Sequence, residues 1–268
     1  PKVGDKRIMG LCIIIPGIID AENKRILSTV IGVGYSDPVV QRFEEAFHDY
    51  PFCLLNDTAC FAYAEYVFAN ITEPNFAYIN VSKGVGACLF ANGKMLRGAG
   101  GNATQFGHFS VDRNGPLCAC GNHGCVERVV GENALTERAE ACGIDLTRFA
   151  GRKPLYCDIG AMAEDGDAHA KELIKDLAVD LSFAISNLIT LFNPSLVVIG
   201  GMGVNLGPFF LSNIRDEVQN SGFKEFVSNT WIQYSTLGLD SELGGAARYY
   251  IDHYYDFFEQ MQGGLYAD

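Results

Sequence analysis

Short apolar runs and helical patterns alternate along the first part of the chain. Residues 8–15 form a largely apolar run that ends at a Pro-Gly pair, which predicts a strand buried on both faces. A second apolar run, residues 52–55, predicts another strand. Residues 58–68 then lack Gly and Pro and are rich in Ala, so we expect a helix there with Asn56 or Asp57 as its N-cap.

Strand patterns and one long helical pattern follow. Residues 76–81 and 86–91 predict paired strands, and the Asn-Gly pair after them is a strong hairpin signal. Apolar residues recur at helical spacing from 170 to 188, which predicts an amphipathic helix that ends before an Asn-Pro pair. Residues 196–199 predict a buried strand, and residues 242–258 predict a closing helix with packed Tyr and Phe side chains. This alternation indicates an α/β fold.

Composition narrows the functional class. The chain has 268 residues, enough for one large domain or two lobes, and its 48% hydrophobic content excludes intrinsic disorder. Lys and Arg number 20 against 32 Asp and Glu, a net charge of −12, so we do not expect this chain itself to bind DNA or RNA. No apolar run reaches the roughly 18 residues of a membrane span, and we expect no membrane partner.

Cysteine usage predicts a reducing, cytoplasmic environment. The chain has nine cysteines, an odd number, and six of them stand singly in apolar or mixed surroundings as small buried side chains do. A disulfide scaffold would be shorter and rich in loops, with an even number of cysteines.

The remaining three cysteines lie close together and follow a histidine. His108, Cys118, Cys120 and Cys125 offer one imidazole and three thiolates, which is a complete tetrahedral shell for a structural Zn²⁺ ion. Such a closed shell leaves no position for a reactive water. Two alternatives are three free thiols beside a core histidine, and a site in which His123 takes the place of His108.

Two weaker signals involve polar and glycine residues at strand ends. Asn56 and Asp57 could orient the hydroxyls of a polyol, although a plain helix cap explains them more simply. Glycine-rich turns could let phosphate oxygens approach the backbone, and tight turns without a ligand explain them equally well. The glycines in question are Gly84 and Gly86 in the first turn, and Gly200 and Gly201 in the second.

The order of these motifs resembles the ROK family of sugar kinases and sugar-responsive transcriptional repressors. The family signature is Glu-x-Gly-His followed by Cys-x-Cys-Gly-x-x-Gly-Cys-x-Glu; here residues 105–108 read QFGH and residues 118–127 read CACGNHGCVE. The resemblance covers nearly the whole chain. It implies an actin-like ATPase (ribonuclease-H-like) α/β fold of two lobes with a sugar cleft between them. The expected lobes are residues 1–64 with 248–268, lacking the first two strands, and residues 65–247 with the zinc loop.

The resemblance also implies roles for individual residues. Asp57 would be the general base in the kinases, and Glu127 would contact sugar hydroxyls near the anomeric end. His108 would be a zinc ligand near the sugar. The full set of implied sugar-binding residues is Asn56, Asp57, Gln105, His108, Glu127, Gly100 and Gly101.

Three differences from the kinases decide the expected function. The kinases open with an Asp-x-Gly-x-Thr phosphate loop that this chain does not contain. Gln105 replaces the Glu of the family signature. The second phosphate turn of the kinases is Gly-Thr-Gly, and the corresponding residues here are Ser82-Lys83-Gly84. Phosphoryl transfer depends on positioning the phosphates, whereas sugar binding needs neither loop.

We therefore expect the sugar-sensing effector domain of a ROK-type transcriptional regulator, with a hexose or amino-sugar as ligand. DNA contact would come only through an N-terminal domain preceding Pro1, and we expect a homo-oligomer. The alternative is a truncated or divergent glucokinase-like kinase, which would use ATP and Mg²⁺. A zinc-stabilised protein with neither role is a third possibility.

Overall fold

The computed structural model describes residues 8–21, 23–29, 38–101 and 103–255, and these form two compact units. Unit 1 comprises Pro1–Ile71, Arg97–Asn102 and Asp240–Asp268; unit 2 comprises Thr72–Leu96 and Ala103–Leu239. These bounds differ from the expected ones: a division at 64/65 would cut a helix, and residues 97–102 fall in unit 1. None of the described helices is long and apolar enough to cross a membrane.

The elements alternate as the apolar pattern predicts. The strands are β1 (Leu11–Ile15), β2 (Gly17–Asp20), β3 (Arg25–Thr29), β4 (Phe52–Asn56), β5 (Phe76–Val81), β6 (Val85–Ala91), β7 (Lys94–Met95), β8 (Leu196–Gly200) and β9 (Trp231–Tyr234). The helices are α1 (Val39–Ala46), α2 (Asp57–Phe68), α3 (Val126–Val130), α4 (Glu132–Ala141), α5 (Tyr156–Glu164), α6 (Ala168–Phe192), α7 (Gly207–Asn220), α8 (Lys224–Val227) and α9 (Ser241–Tyr254). Short 3-10 turns occur at Phe106–His108, Leu146–Phe149 and Met202–Leu206.

Unit 1 is built on the parallel pair β1 and β4 and the antiparallel hairpin of β2 and β3. In the parallel pair Leu11 lies opposite Phe52, and Ile15 lies opposite Asn56. Helices α2 and α9 pack so closely that a Cβ atom on Gly245 would overlap the carbonyl oxygen of Cys60. The sheet and hairpin bury a small apolar cluster of Ile15, Ile19, Ile26, Phe52 and Leu54.

Unit 2 contains a five-stranded mixed sheet in the order β7-β6-β5-β8-β9. Strand β5 is buried along its whole length and pairs antiparallel with β6 and parallel with β8. Helix α6 supplies one buried side of the core, with Leu173, Leu177 and Leu181 fully buried at helical spacing. The sheet therefore fixes the two turns that follow β5 and β8 at one edge of unit 2.

Most predicted elements are confirmed, with corrections at their ends. The strand predicted over 8–15 begins only at Leu11, because its partner β4 begins at Phe52, just after Pro51. The Asn-Gly pair at 92–93 joins β6 to the short strand β7, whereas the turn between β5 and β6 is Ser82–Gly84. The closing helix begins at Ser241, and its predicted residues 256–258 lie outside the described residues.

Candidate metal centre and adjoining polar residues

Unit 2 brings together the four metal-ligating side chains expected from the sequence. The ligand atoms of His108, Cys118, Cys120 and Cys125 all lie within 4.8 Å of one another. His108 Nδ1 lies 3.6 Å from Cys118 Sγ, and Cys120 Sγ lies 3.6 Å from Cys125 Sγ. Around a tetrahedral zinc ion with usual bond lengths, these separations would be about 3.6 Å and about 3.8 Å. The donor set and its spacing therefore fit a zinc ion.

Backbone hydrogen bonds shape the loop that carries the cysteines. The Cys118 N–H donates to Asn122 O at 2.8 Å, and the Gly121 N–H donates to Cys118 O at 2.9 Å, which closes a tight turn around Cys120. Gly124 has φ +60°, and a Cβ atom there would overlap the carbonyl oxygen of Asp112. The loop thus depends on glycine at this position.

The histidine is held by a second glycine contact. His108 ends the 3-10 turn that begins at Phe106. Between them, Gly107 lies so close to β6 that a Cβ atom would overlap the carbonyl oxygen of Val85. Only glycine allows this approach, so the Gly of the QFGH segment has a structural reason independent of any ligand.

Burial affects the ionisation of the ligand Cys125. Burial and hydrogen bonds with Cys120 and Cys118 raise the pKa of its thiol to about 12. A thiol with so high a pKa stays protonated at neutral pH unless a cation replaces the proton. His123, the alternative ligand, is exposed and lies outside the group; its Nδ1 lies 2.9 Å from the carbonyl oxygen of Gly115.

Glu127 follows the cluster directly along the chain. Cys125 is the N-cap residue of α3, and Glu127 lies in the first turn of this short helix. Its carboxylate lies against the β5–β6 turn, where a Cβ atom on Gly84 would overlap Glu127 Oε2. The segment that carries two metal ligands and Glu127 is therefore packed against a turn fixed by the sheet.

The two candidate phosphate turns meet in unit 2 and satisfy each other's polar groups. Ser82 Oγ donates to Asn80 Oδ1 at 3.1 Å and accepts from the Met202 N–H at 3.1 Å. Gly201 has φ +78°, and a Cβ atom there would overlap the Asn80 side chain. A Cβ atom on Gly200 would likewise overlap the Tyr78 hydroxyl. Internal packing thus accounts for Gly200 and Gly201 without a ligand.

Unit 1 carries the other polar pair, Asn56 and Asp57. Asn56 Oδ1 accepts from the Ala59 N–H at 3.1 Å, and its Nδ2 donates to the Gly17 carbonyl oxygen at 2.7 Å. Asn56 is therefore the N-cap of α2, as one of the two sequence interpretations predicts, and it also ties β4 to β2. Burial raises the pKa of Asp57, although the Thr58 N–H donates to its carboxylate at 2.8 Å.

The remaining predicted sugar residues are more exposed. Gly101 has φ +74° and lies in unit 1, where a Cβ atom would be 3.8 Å from Asp20 Oδ1; Gly100 is exposed beside it. Gln105, in unit 2, is exposed at a largely apolar cavity of 240 Å³ whose walls include Phe106, Phe109 and Leu188. The predicted sugar residues therefore fall into two groups, one in each unit.

The sequence pattern did not reveal the contacts of Asn80 and Ser82 that join the two candidate phosphate turns. Asn80 lies near the end of β5 and Ser82 directly follows this strand, and Asn80 is buried although it is polar. A buried polar residue at the end of a strand was the available signal, since such a side chain needs a hydrogen-bond partner.

Curated relatives of this chain include repressors that are named after sugars. It is 26% identical over 250 residues to the xylose repressor of Bacillus subtilis (strain 168), covering 93% of this chain and 62% of the relative. It is 28% identical over 249 residues to the N-acetylglucosamine repressor of Escherichia coli O157:H7, covering 90% of this chain and 60% of the relative. The chain thus spans about three fifths of the length of these relatives.

Solved structures with the same fold include a regulator and a kinase. A ROK family transcriptional regulator, described as a homologue of the Escherichia coli MLC protein, aligns with a TM-score of 0.76 and 26% identity, over 90% of this chain and 62% of its own. A ROK family glucokinase from Streptomyces griseus, in complex with glucose and AMPPNP, aligns with a TM-score of 0.77 and 24% identity, over 91% of this chain and 82% of its own. The fold is the actin-like ATPase fold, and because the ROK family model matches residues 2–252, this chain belongs to the ROK family.

Proposed function

We propose that this chain is the sugar-sensing effector domain of a transcriptional regulator. Its ligand is a hexose, a pentose or an N-acetylhexosamine. The candidate ligand-binding residues are Asn56, Asp57, Gly100 and Gly101 in unit 1, and Gln105 and Glu127 in unit 2. The names of the two repressor relatives, for xylose and N-acetylglucosamine, support this class of ligand.

The observation that carries the proposal is that the hydroxyl of Ser82, in the Ser82–Gly84 turn, is hydrogen-bonded within the protein. The Ser82 hydroxyl is already engaged as a donor to Asn80 and as an acceptor from the Met202 N–H. A phosphate-binding turn needs donors aimed outward at the phosphoryl oxygens, whereas the Ser82 hydroxyl bonds to Asn80 and to the turn that follows β8. Sensing requires a sugar to bind and does not require phosphate to be transferred.

Zinc supports this function as a structural ion. His108, Cys118, Cys120 and Cys125 would hold it, with all four coordination positions supplied by protein. Glu127 is two residues from the ligand Cys125, so the ion restrains the segment that presents its carboxylate. A fixed carboxylate discriminates between sugar hydroxyls in equatorial and axial positions better than a mobile one does.

Ligand-dependent melting tests the sensor directly. The zinc-loaded chain is heated with glucose, xylose, N-acetylglucosamine and N-acetylmannosamine in turn, and one of these sugars is expected to raise Tm by mass action. Asp57→Asn and Glu127→Gln are expected to abolish the rise. Asp49→Asn is a matched control, because the Asp49 side chain is 74% exposed and its substitution should leave the rise unchanged. A Tm that no sugar changes at millimolar concentration contradicts the proposal.

A sugar kinase is the second candidate, because Asp57 is a partly buried carboxylate at the start of α2. In that case Asp57, whose pKa is raised by burial, would be the general base, with ATP and Mg²⁺ as co-substrates. An ATP-coupled assay on the same sugars separates the two functions. Turnover that Asp57→Asn abolishes and Asp49→Asn preserves would replace the sensor by the kinase.

A further inference from the structure

Two cysteines of unit 1 lie side by side, outside the metal centre and the polar pair. Cys12 and Cys53 are paired residues in the parallel register of β1 and β4, so their side chains leave the sheet on the same face. Their Sγ atoms are 3.3 Å apart. Cys53 is buried, and Cys12 is partly exposed.

This geometry suits a disulfide with little movement. Neighbouring strands place paired Cα atoms about 4.8 Å apart, within the 4.4–6.8 Å range that disulfides span. A disulfide bond is about 2.05 Å long, so the two sulfurs need to approach by about 1.3 Å. Rotation of the side chains supplies this displacement, and the ladder of β1 and β4 does not have to break.

The surroundings of the pair favour a state in which one of the two cysteines has lost its proton and the other keeps it. The hydrogen bond between the two sulfurs lowers the pKa of Cys53, and the positive charges of Lys24 and Arg97 act in the same direction. The same hydrogen bond and burial raise the pKa of Cys12. The first proton therefore leaves the pair more readily than the second, and the singly deprotonated pair holds one thiolate beside one thiol.

We propose that Cys12 and Cys53 form a redox-reactive dithiol, which a peroxide closes into an intramolecular disulfide and a thiol reductant reopens. In the singly deprotonated pair the Cys12 proton moves to Cys53 along the hydrogen bond between the two sulfurs, and the Cys12 thiolate attacks one oxygen of hydrogen peroxide, which forms Cys12 sulfenic acid and releases hydroxide. The Cys53 sulfur then attacks the Cys12 sulfur. The S–O bond breaks, and the oxygen leaves as water with the Cys53 proton. Two sulfurs are oxidised by two electrons in total, and the peroxide is reduced.

Cys12 is the residue that meets the oxidant, because it is the more accessible sulfur. Cys53 is the resolving residue, since it is buried at 1% exposure and only Cys12 needs to reach it. The disulfide would join β1 to β4 three residues before Asn56, the N-cap of α2. The reaction does not depend on the proposed sugar function, because its product is detected by mass alone.

Peptide mapping of the peroxide-treated chain tests the proposal. The zinc-loaded protein is treated with hydrogen peroxide, alkylated with N-ethylmaleimide and digested with trypsin without reduction. A linked pair of peptides containing Cys12 and Cys53 is expected, and dithiothreitol added before digestion should remove it. Cleavage after Lys24 and Arg42 separates the two peptides, although Cys60 falls on the same peptide as Cys53.

Three variants assign the bond. Cys60→Ser should keep the linked pair and Cys53→Ser should lose it, with Cys12 then trapped as sulfenic acid by dimedone. Cys12→Ser should also lose the pair. The proposal is wrong if the linked pair is missing from wild-type protein in which the exposed Cys157 has been oxidised, or if the pair persists in Cys53→Ser.

Discussion

The carboxylate of Glu127 occupies the space beside Gly84 that a side chain would fill. A Cβ atom at residue 84 would overlap Glu127 Oε2, and the φ of Gly84 is not in the left-handed region. The glycine is thus required by the position of one flexible side chain and not by the backbone of the turn. This contact links the metal-bearing segment to the turn that follows β5.

Gly84→Ala should therefore separate ligand binding from stability. The added methyl group displaces the end of the Glu127 side chain, which can rotate away, so we expect the free energy of unfolding to change by less than about 1 kcal/mol. Sugar-induced stabilisation should fall, because the carboxylate no longer lies where the turn held it. Chemical denaturation and Tm measured with and without sugar give the two quantities.

Gly107→Ala is the matched control for this glycine. Its Cβ atom would overlap the backbone carbonyl oxygen of Val85, which cannot rotate away, so we expect a loss of about 2 kcal/mol or more in unfolding free energy. If both alanine variants lose similar stability, or if Gly84→Ala keeps the full response to sugar, the Glu127 contact has been misinterpreted.

The zinc loop offers a second pair of glycines with different surroundings. Gly121 has φ +90° but open space around its Cα, whereas Gly124 has φ +60° and faces the carbonyl oxygen of Asp112. Gly121→Ala introduces only backbone strain of about 1–2 kcal/mol, and the loop should still bind zinc. Gly124→Ala adds a steric clash within the loop and should leave substoichiometric metal.

Elemental analysis of both variants after dialysis checks this expectation. Wild-type protein should carry about one zinc ion per chain, since the four ligands complete one tetrahedral shell. Cys120→Ser should be substoichiometric even though its side chain is exposed and its loss leaves the core intact. Full zinc content in Gly124→Ala and in Cys120→Ser would show that the ion is held elsewhere.

Local sequence patterns predicted most of the helices and strands but not the contacts between them. The pattern of α6 is continuous and identifies the helix up to Asn193, which ends it in the left-handed conformation. The start of β1 depends on where its partner β4 begins, and residues 8–10 do not contain that information. Register is likewise a pairing property, so the approach of Cys12 to Cys53 could not be read from either run alone.

The candidate site likewise contains residues that the sequence predicts and contacts that it does not. The four metal ligands were predictable because they lie within 18 consecutive residues and their chemistry is specific. The Ser82 contacts were not predictable, because they join residues 120 positions apart through the parallel pairing of β5 and β8. The Gly-rich turns looked like phosphate loops for this reason, since the side chains that fill them come from a distant part of the sequence.

Asp57→Asn should stabilise unit 1 at neutral pH while it removes sugar binding. Burial raises the pKa of Asp57 above its value in the unfolded chain, so the ionised carboxylate opposes folding at neutral pH. A neutral amide of the same size removes this cost. The difference in Tm between the variant and wild type should shrink as the pH falls through the raised pKa, where Asp57 becomes protonated.

Thermal unfolding from pH 7 to pH 4 measures this difference, with Asp49→Asn as the control for substitution of an exposed aspartate. Because Asp57 also begins α2, part of its charge interacts favourably with the helix N-terminus. A variant that is less stable than wild type at neutral pH would mean that this interaction outweighs the burial cost.

Asp20 has the opposite pH dependence. Its carboxylate accepts from Arg25 at 2.6 Å and from the Asn23 side chain at 2.9 Å, and these donors lower its pKa to about 2. A lowered pKa stabilises the folded state at a pH above the ordinary value for Asp, and this stabilisation is lost as the pH falls towards 2. Asp20→Asn should therefore destabilise the β2–β3 hairpin at neutral pH, because an amide replaces one acceptor oxygen with a donor that faces Arg25.

The two proteins should converge in stability on acidification. Wild type loses its advantage between about pH 4 and pH 2, whereas Asp20→Asn has no carboxylate to protonate at this position and lacks that part of the decline. Urea unfolding at pH 7, 4 and 2.5 measures the gap at each pH. A gap that stays constant over this range would assign the loss to hairpin geometry alone, and the charge of Asp20 would then make no contribution to the turn.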